Sequence, residues 1–293
     1  MSKKFFLSFL LFFAVSITLV FTIIEMNEKK AIIKKAIIKK AITKKETKKE
    51  KLKKSKRIKT YRYRKYPHVK NFYKVISKEV VKIALKYNVP PAAVLAIAGV
   101  ESGYGRGYVA HITGNILSLG AKTNEPELPA LYLPNLKLNK SKILYGDVIK
   151  EYSEEALAWK QRPKSLKKDY RPKSIAGTIK NLDYLDKNLK EKSKANLACI
   201  EDFVKVWINK NKKFRPFVDA RVMLDKEVKL HSKNILFDRD LNIKFIYMIS
   251  GKENSFNYRK TWAPKVVKIM DNVGLIELAK VLHVKDKRFK EVW

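Results

Sequence analysis

Cysteine is almost absent from this 293-residue chain. The one thiol, Cys199, lies in the apolar run Leu197-Ala198-Cys199-Ile200 and reads as a small core residue. A single cysteine excludes an intramolecular disulfide and argues against a Cys-based metal site. Histidine is scarce too. His68, His111, His231 and His283 are scattered with no HExxH-type spacing, which argues against zinc hydrolysis. No metal or other cofactor is expected. Acidic residues are outnumbered: 28 Asp and Glu face 65 Lys and Arg, a net charge of +37. Such a chain is not neutral toward polyanions. Nucleic acid, anionic lipid and anionic cell-wall polymers are the candidate partners.

Charge is also missing between Phe5 and Ile24. These twenty residues contain only Ser8, Ser16, Thr18 and Thr22 as hydroxyl-bearing side chains. Their length spans a hydrocarbon core as a helix. A cleaved signal peptide has a shorter apolar region and a small-x-small site, and here the run ends Phe21-Thr22-Ile23-Ile24-Glu25-Met26. Residues 1–28 are therefore expected to be an uncleaved signal-anchor, a single transmembrane helix, with secretion after cleavage as the alternative. The segment after the span is more basic than the one before it, against the positive-inside trend. The body is still expected outside the cytoplasm, on the periplasmic or cell-wall side, because the chemistry developed below needs a substrate found there.

Residues 29–66 form a Lys-rich linker. Between 29 and 65 there are nineteen Lys or Arg and two acidic residues, Glu46 and Glu50. Ala-Ile-Ile-Lys-Lys occurs at 31–35 and 36–40 and decays at 41–45. A five-residue period builds no fixed apolar stripe on a helix. A tether touching anionic lipid or wall polymers is one reading and a solvated spacer the other. Tyr61-Arg62-Tyr63-Arg64-Lys65-Tyr66 mixes aromatics with charge, as nucleic-acid-binding segments do. Export argues against nucleic acid, and none is expected as a partner.

Residues 67–293 make up the folded body, and their pattern is mostly helical. Phe72, Val75, Ile76, Val80, Ile83 and Ala84 recur at helical spacing. Asn88-Val89-Pro90-Pro91 ends that helix and begins the next. Ala92 to Val100 is nearly all apolar, the mark of a buried helix. Further helices are expected near 174–190, 195–210, 214–231, 240–249 and 261–283. Between 112 and 150 prolines interrupt the chain. Ala130-Leu131-Tyr132-Leu133 and Ile143-Leu144-Tyr145 suggest short strands, with a turn at Gly146-Asp147. The fold class is mostly α (α+β): a helical domain with a small β-hairpin or irregular lobe.

Glu101 is the sharpest chemical feature. A carboxylate directly after nine mostly apolar helical residues is costly unless paired or used. Burial and the negative end of a helix dipole both push its pKa upward. A carboxylic acid still protonated near neutral pH is what a glycosidase needs to protonate a departing glycosidic oxygen. Gly103, Gly105 and Gly107 end the helix and let a sugar approach backbone, and Tyr104 offers a stacking face. A plain helix-end Glu emerging into solvent is the bland alternative. Glu125 and Glu127 are the nearest candidates for a second carboxylate, with Glu151, Glu154 and Glu155 further on.

Ala96-Ile97-Ala98-Gly99-Val100-Glu101-Ser102-Gly103-Tyr104-Gly105 resembles the A-x-x-E-S-x-W/Y-G motif of the glucosaminidase (flagellar-type and Bax-like) peptidoglycan hydrolases, in the lysozyme-like superfamily. Asn115-Ile116-Leu117-Ser118-Leu119-Gly120 is similar in place to the family's N-L-F-G but differs in spelling. Ser174 to Leu182 and Phe256 to Val266 are similar to two later segments, in the same order. The resemblance covers about residues 70–283. It implies a lysozyme-like fold and an endo-β-N-acetylglucosaminidase acting on peptidoglycan, with Glu101 as general acid. It implies that Asn115 shapes the cleft and that Ser102, Tyr104 and Trp262 meet substrate. Phe256 and Trp262 fall on the family's tyrosines, leaving Tyr258 as the closest hydroxyl for a catalytic role. The second carboxylate is Glu125 or Glu127, or one of Glu151, Glu154 and Glu155, or none, the substrate's own acetamido group serving instead. A muramidase or lytic transglycosylase is the near alternative. A non-catalytic wall-binding protein on the same scaffold is the more distant one.

Overall fold

The computed structural model describes residues 61–120, 131–162, 167–176, 181–285 and 287–293. The expected transmembrane segment, nearly all of the Lys-rich linker, and Glu125 and Glu127 lie outside these residues. Among the described residues no helix is long and apolar enough to cross a membrane.

The body is mostly helical with one small sheet. In chain order it comprises α1 (Pro67–Lys86), α2 (Pro91–Ser102), α3 (Tyr108–Thr113), β1 (Leu131–Leu136), β2 (Leu157–Arg162), α4 (Tyr184–Lys187) and α5 (Leu189–Asp202), then α6 (Arg215–His231), α7 (Arg239–Met248), α8 (Trp262–Val273), α9 (Leu275–Val284) and α10 (Phe289–Val292). A π-helical turn, Phe203–Asn209, continues α5.

α1 is amphipathic and buries Val69, Phe72, Tyr73, Ile76, Val80 and Ala84 along one side. α2 is different. Every residue from Pro91 to Gly99 is buried. It runs through the middle of the domain, packed against α1, α8 and α9. A helix with no wet face must be surrounded, and here the later helices surround it.

The small sheet is an antiparallel pair, Leu131 opposite Arg162 through to Leu136 opposite Leu157. It seats on α3 through a satellite core: Tyr108 and Ile112, with Leu133, Ile149 and Trp159 packed against them. The expected first strand is thus present, but its partner is 157–162. Ile143-Leu144-Tyr145 forms no regular strand; it meets β1 where the Ile143 N–H donates to the Pro134 carbonyl (3.0 Å), beside an isolated antiparallel bridge between Asn135 and Lys142. Ile143 turns inward while Leu144 stays out, and Tyr145 makes one isolated bridge to Gly107. Gly146-Asp147 is a turn, as expected.

Two further expectations need correction. Of the helix expected over 174–190, residues 177–180 lie outside the described residues; the rest holds turns at 173–176, the short α4 and the first residues of α5. The helix expected over 261–283 is two helices, parted at Gly274. Its φ is +71°, and an added Cβ there would lie 2.3 Å from the Tyr61 ring. Both backbone and space demand glycine.

That contact belongs to a clasp. Residues 62–65 form a 3₁₀ turn. Arg64 donates from Nε to the Val273 carbonyl (2.8 Å) and from Nη1 to the Val292 carbonyl (2.5 Å). Its guanidinium lies 4.4 Å from the Tyr61 ring centroid and 5.0 Å from that of Trp293. The aromatic-basic stretch 61–66 thus packs on its own domain.

Candidate active site

Glu101 is the penultimate residue of α2. The turn after it is unusual: Gly103, Tyr104 and Gly105 all have positive φ, at 55°, 60° and 77°. For Tyr104 this backbone costs about 1–2 kcal/mol. Ring packing holds it there, with His68, Phe72 and Tyr73 centroids 5.6, 6.2 and 6.1 Å away. Ser102 closes the turn from inside. Its hydroxyl donates to the Ala98 carbonyl (2.5 Å) and accepts from the Gly105 N–H (2.8 Å).

The Glu101 carboxylate accepts a hydrogen bond from the indole Nε1–H of Trp262, 2.6 Å from Oε1. Trp262 opens α8 and is 4% exposed. Burial pushes the Glu101 carboxyl above its usual range. The Trp262 hydrogen bond and the Lys167 charge pull back against that shift without cancelling it.

Glu101 opens into a cleft of about 150 Å³ between the helical body and the β lobe. α3 supplies Tyr108, Val109 and Ala110. Asn115 and Ser118 follow from the next loop, and Leu133 and Lys142 to Leu144 face them from the lobe. The two sides are joined at one edge: the Tyr108 N–H donates to the Leu144 carbonyl (2.7 Å) and the Gly146 N–H to the Arg106 carbonyl (3.2 Å). The floor is tied to segment 167–171. The Lys168 N–H donates to the Leu119 carbonyl, and the Tyr170 N–H to the Thr113 carbonyl, both at 2.9 Å. Lys167 donates from Nζ to the Ser118 carbonyl, which explains how its charge reaches Glu101.

Asn115 anchors this floor. It is 1% exposed, donates from Nδ2 to the Leu119 (2.9 Å) and Lys168 (3.0 Å) carbonyls, and accepts from the Leu119 N–H at 2.8 Å. Cys199 packs beneath it, Sγ 3.4 Å from Asn115 Oδ1, and burial pushes the thiol up to about 12. Asp202 accepts from both Tyr170 and Lys168 at 2.7 Å and joins the same layer.

The expected site residues thus divide. Glu101, Asn115 and Trp262 come together, but Asn115 and Trp262 act through hydrogen bonds inside the protein. Ser102 is 1% exposed with its hydroxyl engaged internally, a turn-holding role. Tyr104 is half-buried, faces two other cavities, and burial raises its phenol to about 12. Tyr258 is 70% exposed with the Arg259 guanidinium over its ring, apart from the cleft lining. Glu151, Glu154 and Glu155 sit on exposed 3₁₀ turns. Among the described residues lining the cleft, Glu101 is the one carboxylate. Lys142 and Lys167 were not anticipated, since single lysines in so basic a chain carry no local signal.

Larger cavities, of about 430 and 520 Å³, lie to either side of His68 and Tyr104. Neither is lined by Glu101.

Residues 22–125 match the family model for the Transglycosylase SLT domain. The matched stretch contains α1, α2, α3 and the Glu101 turn, about a third of the chain. No curated protein matches. Among solved structures, the catalytic domain of the autolysin Auto from Listeria monocytogenes is 14% identical, with a TM-score of 0.38, covering 72% of this chain and 87% of that one.

Proposed function

We propose that this protein cleaves the glycan strand of peptidoglycan, with Glu101 as the acid that protonates the departing glycosidic oxygen. The observation that carries this reading is the Glu101 carboxyl itself. It is held at a helix end, burial pushes its pKa above the usual carboxylate range, and it opens into a cleft lined by the β lobe. The family match over that segment supports it.

Within that class, lytic transglycosylase chemistry is the favoured reading over the endo-β-N-acetylglucosaminidase implied by the motif resemblance. The family match favours it. One acid suffices for transfer. Glu101 gives its proton to the leaving oxygen as the glycosidic C–O bond breaks, and so becomes a base. A hydroxyl of the same sugar then forms the new C–O bond and returns its proton to Glu101. Hydrolysis would instead place water at that carbon, activated by a second carboxylate or by the acetamido group.

Mass spectrometry of the soluble products decides between them. Internal transfer leaves each new end one water lighter than hydrolysis does. Hydrated ends on N-acetylglucosamine would restore the glucosaminidase reading. No products at all would favour a wall-binding protein. Membrane anchoring through residues 5–24 and contact of the Lys-rich linker with anionic lipid or wall polymers remain part of this proposal. Both fit a body that meets its substrate outside the cytoplasm.

A further inference from the structure

The cavity of about 520 Å³ is built against the helix that holds the acid. Gly99, Val100 and Gly103, from the end of α2, line it. Lys265 and Lys268 line it from α8. Trp262, which holds Glu101, and these two lysines follow one another at intervals of three, so they share one side of α8. The cavity thus starts one helical turn from the Glu101–Trp262 pair, outside the cleft.

Rings and charge meet in this cavity. Tyr63, Tyr66, His68 and Tyr104 line it as a row, with successive centroids 6.2, 5.8 and 5.6 Å apart. Burial, and then the Arg106 charge, lower the His68 pKa, so His68 enters the row as a neutral ring. Rings in mutual contact make an apolar wall that suits the C–H face of a sugar. Lys265 and Lys268 are exposed, and neither ammonium has a carboxylate partner among the described residues. No carboxylate lines the cavity. Its electrostatics call for an anion, which two free ammonium groups can meet by charge-assisted hydrogen bonds. A small anion alone would leave the rings unused, and a neutral sugar would leave the lysines unused.

We propose that this cavity binds a sugar ring that carries a carboxylate. The ring rests on the wall of Tyr63, Tyr66, His68 and Tyr104, and the carboxylate meets Lys265 and Lys268. The identity of the sugar rests on the function proposed above: alternate sugars of the peptidoglycan strand carry a lactyl carboxylate. A sugar held here fastens the strand at a point away from the bond that is cut.

The test is a ligand-observed NMR titration of the full-length protein in detergent with N-acetylmuramic acid, a free sugar bearing that carboxylate. Saturable binding is expected. N-acetylglucosamine, the ring without the acid, and lactate, the acid without the ring, should each bind about tenfold more weakly or worse. Lys268→Gln should weaken N-acetylmuramic acid about tenfold. Lys142→Gln, in the Glu101 cleft, and Lys280→Gln, exposed on α9, should leave its binding unchanged. All three lysines are exposed, so the fold is not at stake. Absence of saturable binding overturns the proposal. So does either half-ligand binding as tightly as the whole, or a loss in Lys142→Gln or Lys280→Gln equal to that in Lys268→Gln. The expected binding pattern without any cleavage of peptidoglycan would sink the proposed function and leave this site standing. Cleavage without that pattern would do the reverse.

Discussion

Trp262 and Glu101 are 161 residues apart and joined by a hydrogen bond of 2.6 Å. The indole N–H favours the carboxylate form of Glu101, while burial favours the acid, and burial is the larger effect. An acid catalyst works while protonated, so activity should fall as pH rises through the Glu101 pKa. Trp262→Phe removes the donor and keeps an aromatic ring. The pKa should then rise, and the basic limb of the pH–rate profile should move to higher pH. An unmoved limb would mean that another group controls it.

Lys167 should act in the same sense more weakly, since its charge is the smallest of the three influences on Glu101. Lys167→Met removes a charge that lowers the Glu101 pKa. The basic limb should again shift upward, by less than in Trp262→Phe. A downward shift would contradict the assigned geometry.

Glu101 should also weaken the fold it serves. Its pKa is raised in the folded state, so its contribution to stability is fully present below the unfolded-state pKa and is lost as pH rises through the folded one. Glu101→Gln keeps an oxygen for Trp262 and abolishes the titration. At pH 8 the variant should melt higher than wild type. At pH 4 the difference should shrink. Equal melting points at both values would contradict a buried, perturbed acid.

Gly274 separates α8 from α9 under the Tyr61 ring. Gly274→Ala pays for both a left-handed backbone and a clash, so a loss of about 2–4 kcal/mol is expected by denaturant unfolding. Gly103→Ala has the backbone penalty at φ 55° with a looser neighbour, Tyr145 at 3.3 Å, and should lose about 1–2 kcal/mol. The reverse order would contradict the clasp at residues 61–65.

The sequence reveals those parts of the fold that are set by local periodicity. α1 shows its apolar spacing and α2 its unbroken apolar run, and both lie close to where they were expected. Gly274 hides a helix break because neighbouring apolar positions continue across it. The second strand is concealed for another reason. Leu157-Ala158-Trp159-Lys160-Gln161-Arg162 carries few apolar residues, because Trp159 contacts only the small satellite core on α3. Ile143-Leu144-Tyr145 is the more apolar run and drew the strand expectation, although its backbone is shared between β1, through Ile143, and the loop at 106–108, through Leu144 and Tyr145. At the site, Glu101 is legible from its position at the end of α2. The roles of Trp262, Asn115 and Lys167 depend on partners 161, 53 and 49 residues away, which no local pattern encodes.

The central claim is that Glu101 is the acid. Its most direct test is the rate at which the full-length protein and its Glu101→Gln variant release soluble fragments from purified peptidoglycan at neutral pH. Wild type should release fragments, and the variant should lose about 10²–10⁴-fold of that rate with its fold intact by circular dichroism. Release at the same rate by both proteins would contradict it.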